Sequence, residues 1–210
     1  MLHIKANTIA AAWRMSLVKL YNEGKIFENG EIFRDSTLTI EVKDVYSDLF
    51  DDTFPMTQGQ VEAISHYLTT GEGEEDVIHE WTKLYRKRLF DNKPNQIEKI
   101  IEYLTNKLQG KRAQASIWDS SIDFTGNIAP CLQVLWFQVV DEKLDVHVHM
   151  RASDCYGKLL MNMHEFTALQ KAVAEKLGRE AGIYKQFIDT CHFNMKDKPM
   201  IDNVVSLHNR

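Results

Sequence analysis

Cys131 stands in Ala129-Pro130-Cys131-Leu132-Gln133 and opens a dense apolar run from Val134 to Val140. Twenty residues on comes Arg151-Ala152-Ser153-Asp154. A thiol at the start of a buried strand, followed by a strand that ends in a guanidinium and a carboxylate, suits a cysteine nucleophile acting on an anionic substrate. The thiolate is the reacting species, and a nearby arginine both lowers the thiol pKa and holds a phosphate. The plain alternative is a buried, inert cysteine, which is common for this residue type. Cys131, Cys155 and Cys191 share no metal-type spacing, and their odd number argues against a disulfide framework. Neither a Gly-rich phosphate loop nor a His-Glu-x-x-His metal motif is present, so no metal site is expected.

These groups need elements to position them. Residues 7–23 open with an Asn7-Thr8 cap, repeat apolar residues at helical spacing through Ile9, Trp13, Leu17 and Leu20, and stop at Gly24. The same logic predicts helices from Phe54 to Gly73, over 94–109 and over 163–177. Leu38 to Val42 alternates and is rich in β-branched residues, which predicts a strand. Three more strands are expected at 113–118, 132–140 and 144–150. In the last, Leu144, Val146, Val148 and Met150 alternate with Asp145, His147, His149 and Arg151, so one face is covered and the other polar. Helices and strands together predict an α+β domain with one antiparallel or mixed sheet.

The chain has 210 residues, 44% hydrophobic and 26% charged, with no low-complexity tract, which predicts a single domain over 1–210. A net charge of -5 argues against general nucleic-acid binding, which rests on neutralising phosphates. Met1 to Lys5 carries no signal-peptide pattern and no 18-residue apolar stretch occurs, so a cytoplasmic protein with no membrane partner is expected.

Several blocks, in order, resemble the thymidylate synthase family and its hydroxymethylase branch, above all its short archaeal-like members. Gln96-Ile97 resembles the family's Asp-Gln-Ile. Lys111-Arg112-Ala113 through Trp118-Asp119 resembles its Arg-Arg, strand, Trp-Asn/Asp segment. Pro130-Cys131 resembles its Pro-Cys, Arg151 to Asp154 its Arg-Ser-x-Asp, and Asp189 to His192 the segment carrying its His-x-Tyr. The likeness covers about residues 85–195.

The resemblance implies a mixed sheet with helices on one side and a homodimer formed through the other sheet face. It implies that the Cys131 thiolate adds to C6 of a pyrimidine nucleoside monophosphate, whose C5 then takes a one-carbon unit from 5,10-methylenetetrahydrofolate. Arg151 would bind the 5′-phosphate and keep Cys131 ionised, and Lys111 and Arg112 would reach the partner's phosphate. An ordinary basic helix end competes with that reading of Lys111-Arg112. Arg34 corresponds to an N-terminal phosphate-binding arginine. Asp154 would accept from the pterin ring, or cap a turn after its strand. Asn162 falls where the family reads the base and can donate to O4 and accept from N3–H of uracil. His192 would bond the sugar 3′-hydroxyl. Glu62 is the glutamate on the early helix that corresponds to a family residue organising water near O4, with a solvated helix face as the alternative.

The departures are specific too. Ala152 replaces the family serine, Lys111 the first arginine of the pair, and Asn194 the tyrosine. Alanine and lysine at those places resemble CMP 5-hydroxymethylases. Asn162 favours thymidylate synthesis from dUMP; Ala152, Lys111 and Asn194 favour 5-hydroxymethylation of CMP, dCMP or dUMP. Outside this family, an acyl-transfer hydrolase using Cys131 and His192 and a non-catalytic nucleotide binder are the competing classes.

Overall fold

A computed structural model describes residues 1–126 and 129–208. Seven strands form one sheet: β1 (Leu2–Ala6), β2 (Lys25–Asn29), β3 (Glu31–Val42), β4 (Gln114–Ser116), β5 (Leu132–Val140), β6 (Lys143–Asp154) and β7 (Glu180–Asn194). Their order is β1-β3-β7-β6-β5-β4, with β2 also paired to β3. The β1/β3 and β6/β7 pairs are parallel and the rest antiparallel, so the sheet is mixed, as the element pattern implied. β5 and β6 join through a two-residue hairpin in which Asp141 and Glu142 both take positive φ, the turn whose twist matches paired strands.

The helices α1 (Ile9–Glu23), α2 (Gln58–Thr70), α3 (Glu80–Arg86), α4 (Gln96–Asn106), α5 (Leu159–Lys176) and α6 (Lys198–His208) gather on one side of the sheet. Their ends follow side-chain chemistry. Thr8 Oγ1 accepts from Ala11 N, Thr57 and Gln60 form a capping box, and Asn95 Oδ1 accepts from Glu98 N. Gly71, in the left-handed region at φ 82°, ends α2, as its place in the sequence suggested. None of these helices is long and apolar enough to cross a membrane.

α5 is the central helix. It packs against α1, α2, α4, β6 and β7, and so buries residues on more than one side: Leu159, Met163, Phe166, Leu169 and Val173 among them. Each of its buried polar residues makes a side-chain hydrogen bond, although Gln170 Oε1 has no partner among the described residues. Gln170 Nε2, for example, donates to Leu144 O at 2.7 Å. The helix also begins earlier than its apolar period suggests, at Leu159 rather than Met163, which brings Asn162 onto its first turns.

Five elements lie beyond what the pattern foretold: β1, β2, α3, α6 and the fifteen-residue β7. β7 runs between β3 and β6, so pairing on both edges holds it. Its alternation breaks where the register against β3 shifts between Ser36/Leu38 and Cys191/Ile188, a bulge that disguises a strand as irregular sequence.

Candidate active site

Cys131 sits one residue ahead of β5, and its carbonyl accepts from Arg151 N across the β5–β6 pair at 2.9 Å. The side chain is half-buried and lines a pocket under the end of β6. That pocket collects Ala152, Ser153 and Asp154 from β6, Asn162 from α5 and His192 from β7. Four of the residues named from sequence alongside Cys131 thus share its cavity: Ala152, Asp154, Asn162 and His192.

The α3 segment supplies the other wall through His79, Trp81, Thr82 and Tyr85. Tyr85 Oη accepts from Leu132 N at 3.1 Å, which ties α3 to the strand behind the cysteine. Trp81 keeps 43% of its surface exposed while its Nε1 donates to Ala129 O, so an indole face stands at the pocket rim. Lys158, at the head of α5, places its Nζ 3.1 Å from His79 Nδ1. Burial lowers the pKa of both groups; the Lys158 charge lowers that of His79 further, while Asp154 and Glu165 pull that of Lys158 the other way. Sequence reasoning missed this wall because a seven-residue helix carries too short an apolar period to register.

Arg151 takes a different place from the one expected. Alternation along β6 turns it outward, where Nε donates to Pro130 O at 3.0 Å and Nη2 to Ala129 O at 2.8 Å. The guanidinium therefore fixes the loop that presents Cys131. Burial raises the Cys131 pKa above its ordinary value and the Arg151 charge offsets this only in part. The Arg151 charge thus acts in the expected direction, against the burial of the thiol.

Asp154 caps a turn, the alternative given for it, and also lines the pocket; its Oδ1 accepts from Tyr156 N and Gly157 N at 3.1 and 3.0 Å. Burial raises its pKa, and His192 pulls the other way. Any Cβ at Gly157 would lie 2.6 Å from Asp154 Oδ2 and force that carboxylate to shift. His192 packs edge-on to Phe33 at 5.4 Å. Ser153 Oγ is buried with no hydrogen-bond partner among the described residues, beside the position where Ala152 lacks a hydroxyl.

The other predicted residues lie outside this pocket. Glu62 is exposed on α2 and accepts from Gln58 Nε2 at 2.7 Å, which is the solvated-face alternative. Arg34 turns to the face of β3 opposite His192 and Phe33, stacks over Tyr21 and donates to its carbonyl. Asn194 donates to Glu31 and caps Lys196 N. Lys111 and Arg112 are exposed ahead of β4, where Lys111 O accepts from Trp136 Nε1.

The loop between β4 and Cys131 is anchored from below. Arg88 and Asp123, both buried, form a two-pronged ion pair at 2.6 and 2.7 Å, and Asp119 N donates to the same carboxylate. Hydrogen bonding to Arg88 holds the Asp123 carboxyl below its usual range.

The family model described as Thymidylate synthase matches residues 60–207. Over 205 residues the chain is 29% identical to a protein of Methanococcoides burtonii named "Putative thymidylate synthase", covering 96% of this chain and 94% of that one. A protein of Methanosarcina mazei with the same name is 28% identical at the same coverage. A third relative, named "Deoxyuridylate hydroxymethyltransferase", from Pseudomonas phage M6, is 32% identical over 112 residues, which is 51% of this chain and 31% of that one. The family match runs from within α2 into α6, across every segment that builds the cysteine pocket, and the chain belongs to the thymidylate synthase family, enzymes that transfer a one-carbon group.

Proposed function

We propose that the protein transfers a one-carbon unit from 5,10-methylenetetrahydrofolate to C5 of a pyrimidine nucleoside monophosphate, with dUMP as substrate and dTMP as product. The observation that carries this reading is the convergence of Cys131, Asp154, Asn162 and His192 on one pocket in a chain of this family. The residues at the rim suit a folate. Trp81 offers a flat apolar face to a pterin, and Asp154 has Oδ2 free of the turn bonds that engage Oδ1. Bound there, methylenetetrahydrofolate supplies carbon at the level of formaldehyde and, for a methyl product, the hydride.

Cys131 must lose its proton before it can attack C6, and the outward Arg151 steadies the backbone from which the thiolate acts. Addition at C6 makes C5 nucleophilic; once C5 has taken the one-carbon unit, loss of the C5 proton and expulsion of the thiolate restore the ring. Asn162 reads the base edge. His192 holds the sugar, and Asp154 orients the folate. Lys111 and Arg112, exposed in a single chain, bind a partner's phosphate in a homodimer formed through the helix-free sheet face. A mixture of C131S and R112A chains would then regain activity that neither has alone.

The second reading is a 5-hydroxymethylase, in which water captures the C5 methylene group. Ala152, Lys111 and Asn194 support it, as does the similarity to the phage relative. One experiment tests both. Incubation with methylenetetrahydrofolate and each of dUMP, dCMP, UMP and CMP should give one product heavier by CH2 for synthesis or by CH2O for hydroxymethylation. A fluoropyrimidine nucleotide with folate should trap a covalent adduct that C131S cannot form; an adduct in C131S refutes the nucleophile assignment.

A further inference from the structure

Asn162 and Glu165 are three residues apart on α5 and share a face. Asn162 Nδ2 donates to Glu165 Oε1 at 2.8 Å, and Thr82 Oγ1 donates to Oε2 at 3.1 Å. Glu165 is fully buried, while both of its partners line the Cys131 pocket. The carboxylate first assigned to the base end, Glu62, is at the surface. Glu165 is the carboxyl group that lies behind the amide.

An ionised carboxylate only accepts hydrogen bonds, so it dictates which end of the amide faces it. With Nδ2 held by Glu165, Asn162 Oδ1 turns the other way, and it has no partner among the described residues. We propose that Glu165 is a positioning residue for base recognition, fixing the Asn162 amide with its carbonyl toward the pocket and so favouring uracil over cytosine nucleotides. The proposal rests on reading the pocket as a pyrimidine nucleotide site. Uracil presents a donor at N3, which a carbonyl accepts; cytosine presents an acceptor there and is mismatched. A protonated Glu165 instead carries an O–H that can donate to Oδ1. The amide then reverses, Nδ2 faces the pocket, and the preference is lost.

Three ionisable groups face Glu165. Lys158 approaches from the head of α5, Tyr85 from α3 and Tyr184 from β7. Burial raises both tyrosine pKa values, which keeps them neutral, so Lys158 is the charge among these that favours the ionised form. Behind them His79 contacts Lys158, and Cys131 lies by Tyr85. Desolvation outweighs the two hydrogen bonds and Lys158, and pushes Glu165 up to about 7, which places the switch near neutrality.

Calorimetric titration with dUMP and with dCMP, from about one pH unit below neutrality to one above, tests this in the wild type, E165Q and E165L. The wild type is expected to prefer dUMP at the alkaline end and to lose about tenfold of that preference at the acidic end, the worth of one hydrogen bond. E165L, which leaves the amide untethered, should show the weak preference at every pH, and E165Q should lose the pH dependence. A dUMP-to-dCMP ratio that is flat with pH in the wild type overturns the proposal, whether or not the variants fold. So does an E165L protein that loses stability but keeps the wild-type ratio. Binding of neither nucleotide by the wild type removes the nucleotide-site reading and this proposal with it, whereas binding with a flat ratio removes the proposal alone.

Discussion

His164 and Glu165 are neighbours on α5, and their burial drives stability in opposite directions with pH. His164 is held by Ser65, whose Oγ lies 2.8 Å from Nδ1 and also donates to Val61 O. Desolvation, with a smaller push from Lys171, lowers its pKa from 6.5 to about 4. Between those values the unfolded chain binds a proton that the folded one refuses, so His164 makes stability rise with pH. Glu165 moves from 4.5 to about 7. Between those values the folded chain keeps a proton that the unfolded one has lost, so Glu165 makes stability fall as pH rises. Each displacement is worth roughly 3 kcal/mol, at about 1.4 kcal/mol per pH unit. Over the shared window, from Glu165's unfolded value to His164's unfolded value, the two slopes cancel. Replacing Glu165 with glutamine therefore unmasks His164: urea unfolding of E165Q should show stability rising by about 1.4 kcal/mol per pH unit in that window relative to the wild type. H164Q should show the opposite slope, and the double variant neither. A difference between E165Q and wild type that stays constant from acid to neutral pH would refute the assignment of a raised Glu165.

The pocket and its supports give three further expectations. Alkylation of Cys131 by iodoacetamide should follow a pH profile displaced above that of an ordinary thiol, and R151Q should displace it further, because the guanidinium partly offsets the burial. D123A leaves Arg88 buried without its anion and should lose about 3 kcal/mol in denaturant unfolding, as breaking a buried pair from one side does. G157A drives a methyl group against Asp154 Oδ2; under the proposed reading this raises KM for methylenetetrahydrofolate about tenfold while nucleotide affinity holds, as measured by initial rates and calorimetry.

Much of the scaffold was legible because it is written in local chemistry. Thr8 caps a helix by its own side chain, Gly71 stops one by adopting a backbone other residues resist, and Leu144 to Met150 alternates as a half-covered strand must. Cys131, Asp154, Asn162 and His192 were also recoverable as candidates, since their order and spacing are properties of the chain.

What the sequence by itself determined, then, was the α+β class, four of the six helices and a set of candidates that share one pocket. Only the tertiary structure decided which way side chains face and what surrounds them. Arg151, on the polar face that alternation gives it, holds the Cys131 loop because the fold sets the carbonyls of Ala129 and Pro130 beside its donors. β7 becomes a strand because partners on both edges hold it through a bulge. Glu62 and Glu165 are the same residue type on two helices. One meets water and the other meets Asn162, Thr82 and no solvent, because α5 is enclosed on several sides while α2 keeps an open face. Burial is a sum over distant segments, and with it go the charge state and the chemistry that each carboxyl can do.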